Sequence, residues 1–183
     1  FIDHHDSHAA TAYYMSNFQD DTLVVTMDAS GGEYSAKYFV GSEGNLNFID
    51  GIDIEKKSFG HLYSLITEFL GFKRLKDEGK VVGMAAHGNH DVITYHALNE
   101  AFKVIDIHTD DDNKKDSDDV ILGKLYLDFY TAYYKELGSK VYLGDKSDIA
   151  YTGQKFFEEK VLTIVNNLHN RYPNIKKLAV AGG

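Results

Sequence analysis

The chain has 183 residues, of which 43% are hydrophobic and 26% charged, a composition typical of a folded globular protein. Its formal net charge of -9 argues against a nucleic-acid footprint and against binding to an anionic membrane surface. The absence of cysteine excludes disulfides, thiolate metal sites and cysteine nucleophiles, and it fits a cytoplasmic location. No segment approaches the roughly 20 apolar residues of a membrane span, and residues 1–14 lack the basic n-region and the apolar h-region that a signal peptide requires.

The first part of the chain alternates short apolar runs with turn residues. Residues 1–3 resemble the end of a strand, and Asp3 or Asp6 is placed to cap a helix over about 5–16. Three strands are then predicted, at 22–28, 34–40 and 46–50. The turns between them are short, so we expect an antiparallel three-strand meander.

The rest of the chain is predicted to be mainly helical. Helices are expected over 58–72, 76–88, 92–104, 120–137 and 151–172. Residues 106–119 are polar and charged and predict a solvated loop, whereas the tyrosines at 126, 130, 133 and 134 are expected to pack. LAVA, at 178–181, predicts a buried strand that leads into Gly182 and Gly183. A meander followed by helices and a crossover strand indicates a mixed α/β sheet.

His4 and His8 are four residues apart, so on a helix they lie on one face and can share a metal ion. Imidazole suits iron, zinc, manganese or nickel, and a third ligand, expected to be a carboxylate, would come from elsewhere. Histidines at this spacing also recur by chance, so capping or surface hydrogen bonding stays open. His5 and Asp6 are assigned structural roles.

Asp28 follows a buried strand and precedes Gly31 and Gly32 in the stretch DASGGE. A carboxylate at such a strand end could bind a cation, and the glycines let backbone amides approach a phosphate. The alternative is a plain hairpin turn, which these residues alone favour.

Glu78 and Lys80 begin a predicted helix in DEGK. Acidic residues are favoured at a helix N-terminus, which is sufficient to explain Glu78; the functional alternative has Glu78 binding a nucleotide ribose and Lys80 a phosphate. Gly182 and Gly183 resemble the start of a phosphate loop. Because a domain does not normally stop at the turn after a core strand, we expect the sequence to be part of a longer protein.

Four stretches, taken in order, resemble a single family: HHDSHAATAYYMSNF, VVTMDASGGE, SFGHLYSLITEFLGFKRLKDEGKVVGMAAHG and LAVAGG. Together they are similar to the central portion of the nodulation-type and antibiotic-biosynthesis O-carbamoyltransferases. Residues 90–170 contribute little to the resemblance. The family's tighter D-G-x-G-E is D-A-S-G-G-E here, a departure that bears on the geometry of the phosphate loop.

The resemblance implies a ribonuclease H-like α/β fold of the actin, hexokinase and Hsp70 group (ASKHA). Residues 1–20 would then end a first lobe and 21–183 begin a second, together a fragment of one carbamoyltransferase domain. The isolated fragment is expected to be inactive, because part of the metal site and most of the nucleotide cleft would lie outside it.

The resemblance also implies ATP-dependent chemistry. Carbamoyl phosphate and ATP would give a carbamoyl-adenylate, whose carbamoyl group passes to a hydroxyl of a sugar or other small-molecule acceptor. His4 and His8 match the family's metal-binding histidines, for Fe²⁺ with Mg²⁺ as the alternative, and a completing aspartate would lie beyond Gly183. The matches to nucleotide- and phosphate-binding positions are Asp28, Gly31, Gly32, Glu78, Lys80, Gly182 and Gly183.

Two other functions stay open at this point. One is the related transferase that makes threonylcarbamoyl-adenosine on tRNA, which is disfavoured because HHDSHAA and EGK match the first family better. The other is a non-catalytic nucleotide-binding or interaction domain that has kept the fold.

Overall fold

The computed structural model describes residues 2–18, 20–54, 58–104, 118–138 and 145–183. The helices are α1 (His4–Met15), α2 (Phe59–Phe69), α3 (Glu78–Ala85), α4 (Val92–Val104), α5 (Asp118–Leu137) and α6 (Lys146–Arg171). The strands are β1 (Thr22–Gly31), β2 (Tyr34–Ser42), β3 (Asn45–Asp53) and β4 (Lys177–Gly182). Among these described residues, no helix is both long enough and apolar enough to cross a membrane.

The four strands form one mixed sheet in the order β3-β2-β1-β4. β1, β2 and β3 are antiparallel neighbours joined by two-residue turns, as the meander prediction required. β4 follows the helices and pairs parallel with β1, starting with Thr22 opposite Lys177 and ending with Met27 opposite Gly182. The predicted meander, the crossover strand and the mixed α/β class are therefore confirmed, but β4 is not the buried strand that was predicted, because Leu178 and Val180 are 40% and 61% exposed.

The N-terminal segment differs from the prediction. Ile2 and Asp3 are not in a strand, and Phe1 lies outside the described residues. Asp3 instead caps α1, because its carboxylate accepts the backbone N–H groups of His5 and Asp6 at 3.0 and 3.2 Å. The helix consequently begins at His4, one residue earlier than predicted.

Two long helices also begin before their predicted starts. α6 begins at Lys146 rather than near residue 151, because the Asp145 carboxylate accepts the backbone N–H of Ser147 at 3.0 Å. α5 begins at Asp118, so the last two residues of the predicted loop 106–119 are helical. The rest of that loop lies outside the described residues.

The chain divides into two compact units. The sheet unit comprises Phe1–Gly60 and Leu162–Gly183, and it contains α1, the four strands and the end of α6. The helical unit comprises His61–Val161, and its described elements are all helices. The division into lobes at residue 20, which came from the family resemblance, stays a prediction.

β1 is buried on both faces, which explains the continuous apolar run in its sequence. Leu23 and Val25 pack on one face against Leu168 of α6. Val24 points to the other face and packs with Tyr13 of α1. Successive residues of β1 thus face opposite sides of the sheet, with the end of α6 packed on one side of the strand and α1 on the other.

In the helical unit, the tyrosines of α5 have different environments. Tyr133 is buried and its ring lies 5.8 Å from that of Phe129, which is the packing role predicted for it. Tyr126 donates a hydrogen bond of 2.5 Å to the Glu68 carboxylate. Burial, together with this carboxylate, raises the pKa of Tyr126. Tyr134 is exposed.

The packing of α1 on the sheet gives a first prediction. A Cβ added at Gly41 would lie 2.4 Å from the ring of Tyr13, which is buried. We expect Gly41→Ala to lower the free energy of unfolding by about 1–3 kcal/mol, because the ring must move. Urea unfolding followed by circular dichroism measures the change.

The matched control for this prediction is Gly83→Ala in α3, where an added Cβ meets nothing within 4 Å. This control is expected to leave stability unchanged or to raise it by about 0.5–1 kcal/mol, since alanine is the better helix former. Unfolding of Gly41→Ala at the same urea concentration as wild type would contradict the proposed contact.

Candidate metal centre

Three side chains that can bind a metal ion lie together in the sheet unit: His4 and His8 of α1 and Asp28 of β1. His4 Nε2 lies 2.9 Å from Asp28 Oδ2, and His8 Nε2 lies 3.4 Å from the same oxygen. One donor atom from each residue lies within 4.8 Å of the others. The three side chains are 47%, 34% and 20% exposed, so the cluster is open to solvent.

The local structure explains how the cluster forms. His4 and His8 are one helical turn apart on α1, and their ring centroids are 4.6 Å apart in an edge-on arrangement. Asp28 follows Met27, the last residue of β1 that pairs with β4. α1 therefore crosses the end of this parallel strand pair and brings both imidazoles to the carboxylate.

The two oxygens of Asp28 have different partners. Oδ1 accepts the backbone N–H of Ala29 at 2.7 Å, whereas Oδ2 faces the histidines. Burial raises the pKa of Asp28, but the hydrogen bonds from His4 and from Ala29 outweigh it and hold the pKa below its ordinary value. The carboxylate is therefore ionised at neutral pH and available as a ligand.

The first turn of α1 is also bound to β2 by ion pairs. Lys37 Nζ lies 2.9 Å from Asp3 Oδ1 and 3.2 Å from Asp6 Oδ1. Burial lowers the pKa of Lys37, but the two carboxylates raise it by more, so the pKa is above its ordinary value. Asp6 thus has the structural role predicted for it, as an ion-pair partner rather than as the helix cap.

His5 is completely buried, in contrast to its two neighbours in the cluster. Its Nδ1 lies 2.9 Å from Thr26 Oγ1, and its Nε2 lies 2.9 Å from the backbone oxygen of Tyr34. Burial lowers the pKa of His5, although the bond to the Tyr34 carbonyl opposes this shift. The imidazole is therefore neutral at pH 7, and both of its nitrogens are bonded inside the protein.

Gly31 and Gly32 are explained by different structural requirements: space for a neighbouring side chain at Gly31, and backbone conformation at Gly32. A Cβ at Gly31 would lie 2.5 Å from the His5 ring and 2.8 Å from His4 Cδ2, so Gly31 provides room for α1. Gly32 has a φ of +84° in the two-residue turn between β1 and β2, a conformation that glycine adopts readily. These contacts support the turn interpretation, and the phosphate-loop role of both glycines stays a prediction.

Gly182 and Gly183 lie at the same end of the sheet as Asp28. A Cβ at Gly182, which has a φ of +135°, would lie 1.7 Å from the Met27 carbonyl oxygen, so only glycine allows β4 to approach β1 this closely. A Cβ at Gly183 would lie 3.9 Å from both Asp28 carboxylate oxygens. The parallel pairing of β4 with β1 thus brings the predicted loop at Gly182 and Gly183 next to the predicted loop that begins at Asp28.

Glu78 and Lys80 belong to the helical unit and have local partners there. Glu78 accepts the backbone N–H of Leu75 at 2.5 Å, and Lys80 Nζ lies 2.9 Å from Asp77 Oδ1. The Lys80 side chain is 60% exposed, so the ion pair leaves it accessible. These contacts account for both residues as stabilising groups at the start of α3, and their nucleotide-binding role stays a prediction.

The donor set has a clear metal preference. Two imidazoles and one carboxylate match the two-histidine, one-carboxylate arrangement that binds Fe²⁺ with further positions open. Zn²⁺ also accepts two histidines and a carboxylate. Mg²⁺ prefers oxygen ligands, so the paired imidazoles fit it poorly. Of the two ions expected from the sequence, iron suits these donor atoms better than magnesium, and the identity of the metal stays a prediction.

Comparison with known proteins identifies the family. The family described as "Carbamoyltransferase N-terminus" matches residues 1–183. The chain belongs to this family. Membership confirms the resemblance drawn from the HHDSHAA, DASGGE, DEGK and AGG stretches, and it associates the chain with carbamoyl transfer in general.

Individual relatives of this carbamoyltransferase-family chain are longer proteins. The uncharacterized protein MJ1058 of Methanocaldococcus jannaschii is 33% identical over 198 residues, which cover 99% of this chain and 30% of that protein. MJ1051 of the same organism is 30% identical over 183 residues, which cover 98% of this chain and 33% of that protein. The nodulation protein NolNO of Sinorhizobium fredii is 36% identical over 89 residues, 49% of this chain and 13% of its own.

The chain thus spans about a third of the two archaeal relatives. Sequence reasoning placed Asp28 in a phosphate or metal loop and expected the carboxylate that completes the histidine pair beyond Gly183. The structure brings Asp28 itself to the pair, so this family member has three candidate ligands within the chain. An additional aspartate beyond Gly183 stays a prediction.

Sequence reasoning did not anticipate the contacts that hold α1 in place. Lys37 of β2 and Thr26 of β1 are opposite each other in the sheet, and both of these polar side chains contact α1. A polar side chain on the covered face of a strand is the signal that could have identified them, since such a group needs a partner on the covering helix.

A prediction tests the contact between the histidines and the β1–β2 turn. Gly31→Ala is expected to lower the free energy of unfolding by about 1–3 kcal/mol, because its Cβ would overlap the His5 and His4 rings. Urea unfolding measures the loss, and the ¹H–¹⁵N signals of both imidazoles should shift. Gly123→Ala in α5 is the control, because an added Cβ there meets nothing within 4 Å; an equal loss of stability in both variants would contradict the steric explanation.

Proposed function

We propose that the chain contributes the metal-binding part of an ATP-dependent O-carbamoyltransferase. The observation that carries the proposal is the convergence of His4, His8 and Asp28 in a member of the carbamoyltransferase family. Their donor set supports Fe²⁺ as the bound ion. When bound, such an ion would neutralise negative charge on phosphate groups during transfer.

Charge at the end of the sheet supports a metal between the protein and a phosphate. A phosphate next to Gly182 and Gly183 would lie beside the ionised Asp28 carboxylate. Two anions this close repel each other unless a cation lies between them. The histidines and Asp28 would hold that cation, while the backbone amides of the glycine turn contribute aligned dipoles without a basic surface.

In the proposed reaction, water cleaves carbamoyl phosphate to carbamate and orthophosphate, and the carbamate oxygen attacks the α-phosphate of ATP to give a carbamoyl-adenylate and release pyrophosphate. The carbamoyl group then passes to a hydroxyl of a sugar or another small molecule, with AMP as the leaving group. Gly31 and Gly32 are proposed for the first phosphate loop and Glu78 and Lys80 for the nucleotide. The exposure of Lys80 supports its assignment, because an anionic ligand could displace Asp77 from it at little cost.

The ribonuclease H-like ASKHA fold is part of the same proposal. The mixed sheet supports it, since the meander is followed by a parallel strand, LAVAGG, next to the first strand of the meander. The family match over the whole chain favours this transferase over the tRNA-modifying relative of the same fold.

The metal assignment is tested by removing one ligand at a time. His4→Ala, His8→Ala and Asp28→Ala should each weaken Fe²⁺ or Co²⁺ binding by more than the roughly 10- to 100-fold that loss of an outer-shell partner costs. Anaerobic titration calorimetry and Co²⁺ absorption measure the affinity of the 183-residue chain.

Matched controls separate this site from adventitious binding. His87→Ala removes an exposed imidazole and Asp20→Asn an exposed carboxylate, both outside the cluster, and each should bind metal as wild type does. If the three ligand variants bind as tightly as these controls, the metal assignment is wrong.

The enzymatic part of the proposal concerns the whole protein, because the chain spans only about a third of its archaeal relatives. In a protein of that length, we expect carbamoyl-phosphate-dependent exchange of pyrophosphate into ATP, with the 183-residue chain alone inactive. His4→Ala and His8→Ala should abolish the exchange, whereas His87→Ala should retain it. Radiolabelled pyrophosphate measures it; retained exchange in the His4 and His8 variants, or exchange by residues 1–183 alone, would contradict the proposal.

A further inference from the structure

The geometry points to His5 as the residue that positions the metal-binding histidines: it fixes the first turn of α1 so that His4 and His8 meet Asp28, without being a ligand itself. This inference rests on the proposed metal function. It assigns a positioning role to the buried histidine of the HHDSH stretch.

The rings of the two candidate ligand histidines are partly exposed. His4 is 47% exposed and His8 is 34% exposed, both approach Asp28, and their rings lie against each other, with His4 also next to His5 and Gly31. An exposed imidazole on a helix can occupy several rotamers. The position of the helix backbone must therefore determine where these two rings can meet the carboxylate.

His5 fixes that backbone through two strands at once. Its Nε2 lies 2.9 Å from the carbonyl oxygen of Tyr34, and because a carbonyl oxygen only accepts, Nε2 carries the proton. Nδ1 of the neutral ring then accepts from the Thr26 hydroxyl at 2.9 Å. Thr26 lies two residues before Asp28 on β1, and Tyr34 begins β2.

Because the His5 ring is completely buried, both of its hydrogen bonds must be kept when α1 packs on the sheet. An imidazole with no exposed surface that lost a partner would have an unsatisfied polar atom, at a cost of about 1–3 kcal/mol. Gly31 also lies close to the His5 ring, since an added Cβ there would be 2.5 Å from it. A small shift of α1 along the sheet would therefore break a bond or create a clash.

The Thr26 hydroxyl is itself held in place by the sheet. Its oxygen accepts the backbone N–H of Lys37 on β2 at 3.3 Å. Its single proton is directed to His5 Nδ1 at 2.9 Å rather than to the Lys37 backbone oxygen at 3.2 Å, because Nδ1 of this tautomer has no proton of its own. His5 is consequently joined to a rigid strand pair rather than to a mobile side chain. Lys37 of β2 also pairs with Asp3 and Asp6, so His5 and these ion pairs hold the first turn of α1 on the same strand pair.

The test removes one hydroxyl and leaves every candidate ligand intact. Thr26→Val should weaken Co²⁺ binding by the 183-residue chain about 10-fold or more, and at saturating Co²⁺ it should change the visible absorption spectrum, because the ligand geometry is altered. Thr26→Ser, which keeps the hydroxyl, should restore both the affinity and the spectrum. His5→Leu should have at least the effect of Thr26→Val where it folds.

Thr22→Val is the matched control. Thr22 lies on the same strand, is also completely buried, and donates its hydroxyl to the Asp20 backbone oxygen at 2.9 Å, away from His5. Urea unfolding calibrates the stability loss of each variant, and binding is measured where all variants are folded. Thr22→Val should lose stability but keep the wild-type affinity and spectrum.

Each outcome separates the inference from the proposed function. If wild type binds Co²⁺ and Thr26→Val binds it with the same affinity and spectrum, His5 is not a positioning residue, although the metal site stands. Equal weakening by Thr22→Val and Thr26→Val would likewise overturn the inference, because the effect would then follow stability alone. Absence of Co²⁺ binding by wild type would overturn both.

Discussion

The packing of helix α1 across the end of strand β1 is the contact on which the sheet unit and its candidate site both depend. On one face of β1, Val24 packs with Ala9 and Tyr13 of the helix. The same contact brings His4 and His8 of the helix's first two turns to Asp28. Core packing and ligand geometry are thus properties of a single interface, so changes in one are transmitted to the other.

The polar groups in this interface determine the position of the helix, which apolar contacts alone leave free to slide. Asp3 and Asp6 pair with Lys37, and His5 reaches Thr26 and the start of β2. Buried polar groups are costly without partners, and only one position of the helix satisfies all of them. A buried hydrogen-bond network therefore gives the interface its specificity, while hydrophobic burial gives it most of its stability.

The parallel pairing of β4 with β1 adds a second constraint at the same end of the sheet. Gly182 approaches the Met27 carbonyl too closely for any side chain, and Gly183 lies beside Asp28. An acidic chain with an ionised carboxylate at this point is poorly suited to bind a phosphate directly. A metal ion held by two imidazoles and a carboxylate would offset the repulsion between Asp28 and a phosphate. In the proposed carbamoyl transfer, the cluster would therefore serve to bind the phosphate through the metal.

Much of the fold could be predicted because its signals are local. The apolar run in β1, the short turns of the meander and the helical spacing of His4 and His8 each involve neighbouring residues. Helix starts were less accurate. Asp3 was one of two candidate caps, and only the structure shows that it, rather than Asp6, accepts the backbone N–H groups, whereas the cap Asp145 was not predicted.

The sequence by itself determined the α/β class, the meander, the pair of histidines on one helix face and the glycine turns, because these depend on short-range periodicity and backbone conformation. Only the tertiary structure decided that Asp28 joins the histidines, that Gly31 makes room for His5, and that His5 is buried. These contacts join residues 20 or more positions apart, and they follow from the position of α1 on the sheet. No local pattern encodes that position, since it is the joint result of packing and of satisfying every buried polar group.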